Sequence, residues 1–249
     1  MNLSTKAIRK QVWVDLLIFF REPFFALPIL FLPGLFFVVY AGAMAKSAAS
    51  MEGFGQYIPI YMVLVVFLTV FFNIGMQYVT DKQSGIFKRL LLSPIRLSNL
   101  VLTYAIKGML ISVLGFIEMT AIAALVFRIP LSEHMPAVFL AFVIIAAVMM
   151  LISLSLHGFF KNTRQQMPVA IIGFQYVLFA SGMILPVEQM PKILQYLVYI
   201  NPVYHMNLVL LRVWFGRPQN WANLLALAAW VALSLVFLWI QKRRPMDRS

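Results

Sequence analysis

Apolar residues in this chain come in long unbroken runs, separated by short polar stretches rich in lysine and arginine. The runs lie at about 24–45, 57–79, 98–127, 137–160, 167–186 and 221–240. Each is close to the roughly 20 residues an α-helix needs to cross a hydrocarbon core of about 30 Å. The runs do not alternate apolar with polar positions, which excludes a β-barrel. The pattern predicts an all-α membrane protein, a single domain over 1–249 with six transmembrane helices.

The interruptions carry structure of their own. Over 1–22, Lys6, Arg9, Lys10 and Asp15 are mixed with Ile8, Val12, Leu16 and Phe19, which fall on one helical face. That spacing predicts an N-terminal helix lying in the membrane interface. Pro23 suits the first turn of the next helix, and Pro28 and Pro33 predict a kink within it. The third run is long, about 45 Å as a helix, so part of it must leave the hydrocarbon. Lys107 is expected near its cytosolic end with its amine snorkelling outward, and Glu118 deeper. Between 187 and 220 lie two apolar pieces too short to cross, Ile193 to Ile200 and Val203 to Phe215, turning at Asn201-Pro202. They predict a re-entrant extracytoplasmic helical hairpin. Between the second and third runs, 81–94 reads DKQSGIFKRLLLSP. Its apolar positions Ile86, Phe87, Leu90 and Leu91 have helical spacing, and Pro94 ends them.

Charge orients the chain. Six crossings put both termini on one side, with Lys6, Arg9, Lys10, Arg21, Lys82, Lys88, Arg89, Arg96, Lys161, Arg164, Lys242, Arg243, Arg244 and Arg248. The other side has Lys46, Arg128, Lys192, Arg212 and Arg217, a bias of 14 to 5 with Lys107 set aside. Basic residues collect in cytoplasmic loops, so both termini and 81–94 are expected in the cytosol of a cell-membrane protein. Composition agrees: 62% of residues are hydrophobic and 11% charged, with a mean hydropathy of +0.89. The net charge of +12 is this loop bias rather than a nucleic-acid surface, because no basic stripe is interleaved with aromatics outside the runs.

Candidate chemistry is sparse. The chain has no G-x-x-x-x-G-K-[ST] phosphate loop and no cysteine, and its three histidines lack metal-ligand spacing. No convergent acid–base or nucleophile set stands out, so neither a catalytic site nor a metal site is expected. Glu118 is an intramembrane acid, costly enough to be read either as a hydrogen-bonded structural group or as a transport site. Lys107 lies about 16 Å from it along the helix axis, too far to pair. Thr69, Asn73 and Gln77, four apart, share a face that either glues helices together or lines a pathway. Gln175 is a similar candidate, and Phe67, Phe71, Phe72 and Phe174 are candidates to stack a lipophilic substrate.

The interfacial helix, six runs, the 81–94 stretch and the I-x-x-x-N-P-V-Y-H segment before the last run together resemble the transmembrane subunits of ABC type-2 exporters. In that family an acid, a glycine and a Leu-Leu followed by Ser-Pro mark a cytosolic coupling helix. Here those positions are Asp81, Gly85, Leu91-Leu92 and Ser93-Pro94, with aspartate where glutamate is common. The resemblance implies a separate cytosolic ATPase subunit that binds ATP and Mg and docks on Ile86, Lys88, Arg89, Leu90 and Leu91. It also implies a second permease chain, with the second and fifth runs lining the path between the two. The exported molecule would be lipophilic or amphipathic, a drug, antibiotic or lipid; lipid-linked polysaccharide or teichoic acid is the alternative. A proton-coupled carrier using Glu118 is the competing class.

Overall fold

The computed structural model describes residues 5–41, 55–91, 97–184 and 187–243. Among them every regular element is helical. The helices are α1 (Thr5–Arg21), α2 (Pro23–Phe36), α3 (Tyr57–Gln83), α4 (Ile86–Leu91), α5 (Leu97–Ala121), α6 (Met135–His157), α7 (Thr163–Phe179), α8 (Lys192–Ile200), α9 (Pro202–Trp214) and α10 (Trp221–Arg243). π-helical turns extend α2 over Phe37–Ala41 and α5 over Ile122–Val126, and a third occupies Phe67–Ile74 inside α3.

Four helices are long and apolar enough to cross a membrane: Tyr57–Gln83, Asn99–Val126, Met135–His157 and Trp221–Arg243. A fifth results if α1 and α2, which meet at 69°, are counted as one bent crossing. The chain is therefore a multi-pass helical membrane protein. The boundaries differ from expectation in two informative places. The second run does not stop at Val79; α3 carries on through Asp81, Lys82 and Gln83, because those polar side chains are consumed by tertiary bonds described below. The fifth run, expected at 167–186, forms a helix only over Thr163–Phe179. It begins early because the Asn162 side chain accepts from the Gln165 amide (3.0 Å) as an N-cap. It ends early because Asn201 and Asn207 donate to the Ala180 and Ser181 carbonyls (2.8 and 3.1 Å). Those bonds replace the helical ones, so an apolar stretch leaves the helix without stranding its backbone.

At the centre stands α3. In its most apolar stretch 83% of residues are buried, against 11% in α10, which therefore forms the rim of the bundle. Helices α2, α5, α6 and α9 pack around α3, and α10 closes over α6 and α9. The core runs through Tyr61, Met62, Leu64 and Ile74 of α3, Phe142 and Met149 of α6, and Met206 and Leu210 of α9. Val12, Leu16 and Phe19 of α1 turn inward as their spacing predicts, with Phe19 joining Ala26, Ile29 and Ile111 in a satellite cluster. The two short helices before α10 divide their roles: α9 is part of the core, while α8 buries only Val198.

Candidate functional site

The junction between α3 and α4 is made by one residue. The last turn of α3 closes with Ser84 N donating to Thr80 O (2.9 Å) and Gly85 N to Lys82 O (3.2 Å). Gly85 then takes φ +76°, the left-handed conformation that ends helices, and its carbonyl accepts from Arg89 N (3.1 Å) in the first turn of α4. A Cβ built there would meet no atom within 4 Å, so glycine is needed for the backbone and not for space. On α4, Phe87 is buried edge-on to Tyr78 (5.1 Å between centroids), and Ile86 is half-buried against the core. Arg89 is exposed. The side chains of Lys88, Leu90 and Leu91, and all of Ser93 and Pro94, lie outside what the structure describes.

Around this junction the polar groups of α3 find partners on three other helices. Tyr104 of α5 donates to the Asp81 carboxylate. Lys82 Nζ donates to the carbonyls of Gly158 and Phe160 (2.8 and 3.0 Å), capping the C-terminal end of α6, where a cation is also favoured by the helix dipole. Gln83 Oε1 accepts from the amide and hydroxyl of Thr163 (3.0 Å each) at the start of α7. Gln77 Oε1 accepts from Lys107 Nζ (2.8 Å). Lys107 therefore does not snorkel. It is only 5% exposed, because α3 offers an amide oxygen where lipid would otherwise be. Gln83 and Tyr104 were not singled out from the sequence, and Lys82 only as one of its cytosolic cations. Tyr104 and Lys107, three apart on one face of α5, are the pattern that points to them.

Half-way along α3 the chemistry changes. The π segment Phe67–Ile74 packs on α6, whose Ser153 hydroxyl donates to Val70 O (3.1 Å). His157 donates through Nδ1 to Ser153 O (2.8 Å) and sits edge-on to Phe71 (4.8 Å). Its ring fills the space beside Gly75, where a Cβ would collide with it. Phe67 stacks on Phe71 (4.9 Å, 15°) and, more loosely, on Phe174 of α7 (6.5 Å, 21°). Phe67, Phe71 and Phe174 are thus brought together across α3 and α7, while Phe72 takes no part in the stack. Thr69 and Asn73 are buried on the same segment, yet Thr69 Oγ1 and Asn73 Nδ2 find no hydrogen-bond partner among the described residues. Such groups cost about 1–3 kcal/mol each and ask for an explanation.

The remaining predicted positions separate from these two centres. Gln175 is exposed on α7 and takes no part in the stack. Glu118 faces Gly34 of α2, where a Cβ would lie 3.0 Å from its Oε1 and 2.9 Å from Ile122 Cδ1. The missing side chain lets α2 approach the acid closely. Asn201 and Pro202 form a structural corner: the Asn201 side chain accepts from Val203 N (3.0 Å) and Pro202 starts α9. No group of three or more acidic or histidine side chains that could hold a metal occurs among the described residues.

The most buried helix of the bundle thus ends at a left-handed glycine, is followed at once by a short helix, and is tied to three neighbours among apolar spans. The sequence pattern of the ABC-2 type transporter family matches residues 7–215, and the chain belongs to that family. Two similar proteins, each named "Probable multidrug ABC transporter permease YbhR", come from Escherichia coli strain K12 and Escherichia coli O157:H7. Each is 24% identical over 157 residues, which is 60% of this chain and 41% of the relative. The chain thus spans well under half the length of the curated relatives it matches.

Proposed function

We propose that this chain is the permease subunit of an ATP-driven exporter, powered by a separate ATPase that docks on α4. The single observation that carries the reading is the α3–Gly85–α4 junction: a short helix with an outward arginine, hinged by a left-handed glycine to the most buried helix of the bundle. A force on α4 then reaches the core directly. The 14-to-5 charge bias supports a cytosolic position for α4 and both termini in a cell membrane. In this reading α1 lies in the interface, and α2, α3, α5, α6, α7 and α10 make six crossings, with α8 and α9 as a hairpin dipping into the outer leaflet. At 17 residues α7 suits a locally thinned or partner-lined position.

ATP and Mg bind the partner, and a second permease chain completes the path. The Phe67–Phe71–Phe174 stack and the unpartnered Thr69 and Asn73 support a path along α3 and α7 for a lipophilic molecule carrying a few polar groups. The name of the relatives supports a drug-like cargo. ATP drives transport by favouring one state of the assembly over the other.

The test is co-expression with candidate ATP-binding-cassette subunits and measurement of ATP hydrolysis in lipid. Arg89→Glu and Gly85→Pro are expected to abolish permease-dependent stimulation of hydrolysis. Failure of every ATPase to bind, or unchanged coupling in both variants, defeats the proposal. Glu118→Gln decides against the proton-coupled class if transport persists.

A further inference from the structure

Lys107 is a buried cation whose surroundings come from three elements. Gln77 Oε1 of α3 accepts a hydrogen bond from its amine at 2.8 Å, two turns before Gly85. Its charge interacts through space with three carboxylates, on Asp15 of α1, Asp81 of α3 and Glu22 at the bend between α1 and α2. The Phe19 ring of α1 lies 5.9 Å from the amine. Helix α1 packs along α5 and against α2, with Phe19 in a small apolar cluster with Ala26, Ile29 and Ile111, and leaves Trp13, Ile18 and Phe20 exposed. A cation in a protein interior is held in place by its partners, because moving it away from them leaves an unpaired buried charge.

We propose that Lys107 is a positioning residue that ties α1 to the α3–α4 junction, so that the amino-terminal helix follows α4 when α4 is displaced. The purpose rests on the permease reading; the geometry does not. Asp81, held by Tyr104, and Gln77, held by Lys107, lie on the last turns of α3, while Asp15, Phe19 and Glu22 lie on α1 and its end. One ammonium group on α5 therefore meets both elements, α3 through Gln77 and α1 through the Phe19 ring. Removing it frees α1 from α4 without touching either helix.

The chain has no cysteine, so spin labels can be placed by adding two and removing none. We would label Ile18→Cys on α1 and Arg89→Cys on α4, both exposed, in lipid nanodiscs without any ATPase, and measure the distance distribution between them. The parent pair is expected to show one narrow peak. Adding Lys107→Met or Gln77→Leu should broaden it into several distances, and Lys107→Arg, which keeps the charge, should narrow it again. Ile145→Ala, a buried change on α6, should lower the melting temperature and leave the peak narrow. A narrow peak with Lys107→Met and Gln77→Leu, or equal broadening by Ile145→Ala, overturns the proposal. If Lys107→Met does not fold, Gln77→Leu and Asp15→Asn decide by the same measurement. Because no ATPase is present, loss of the permease reading would show only in the hydrolysis assay and leaves this outcome intact.

Discussion

The two halves of α3 treat polarity in opposite ways. Towards Gly85, Gln77, Asp81, Lys82 and Gln83 each bond a partner on α5, α6 or α7 or in the loop between α6 and α7. Within Phe67–Ile74, Thr69 and Asn73 are more deeply buried, yet each keeps an atom that no described residue bonds. Stability explains the first half, since a saturated polar network holds the end of the helix in one place. It does not explain the second, where valine and leucine would pack without leaving a polar group stranded. The end of the helix is held by its polar bonds, and the middle keeps polar atoms that no described residue bonds.

Four changes break or sharpen that contrast, in decreasing order of expected effect on stability. Gly85→Pro comes first: a ring that fixes φ near −65° cannot follow +76°, and the loss should be on the order of 3 kcal/mol. Thermal unfolding in nanodiscs measures it, and Gly85→Asn, which tolerates the left-handed region, should retain most of the stability. Gly75→Ala follows, because its methyl group meets the His157 ring; overpacking of this kind costs about 1–3 kcal/mol. Combined with His157→Ala it should cost less than the two changes added separately, which a double-mutant cycle reads directly. Lys82→Met ranks third. It strips the donor from the Gly158 and Phe160 carbonyls and should cost about 1–2 kcal/mol, with faster hydrogen exchange at the α6–α7 turn. Thr69→Val comes last. Its hydroxyl has no partner among the described residues, so the isosteric apolar change should alter stability by under about 0.5 kcal/mol or improve it, while shifting which compounds are exported. A large loss of stability in Thr69→Val, with transport unchanged, would erase the distinction between the two halves.

Much of the architecture was legible because its cause is local. Unbroken apolar runs have few soluble solutions, so the long helices over 57–83, 99–126, 135–157 and 221–243 follow from composition alone. Asn201-Pro202 marks a real corner, and Val12, Leu16 and Phe19 turn to the side that their spacing assigns. Where the reading failed, a distant side chain had intervened. Asp81 to Gln83 look by charge like part of the short helix after the second run but continue α3, because Tyr104, the α6 terminus and Thr163 take up that charge and polarity. Residues 180–184 look like helix by hydropathy but are not, because asparagines twenty-one and twenty-six positions on bind their carbonyls.

The sequence by itself determined that this chain lives in a membrane as helices and how unevenly its basic residues are divided among the polar stretches between them. Hydropathy, charge and backbone conformation are properties of a residue and its near neighbours, so they can be read in order along the chain. The tertiary structure decided which polar groups are satisfied: that Lys107 turns inward to Gln77, that Lys82 caps α6, and that Thr69 and Asn73 are left with unbonded atoms. A hydrogen bond depends on angstrom-scale proximity between residues that spacing does not relate, and only the packed bundle supplies it.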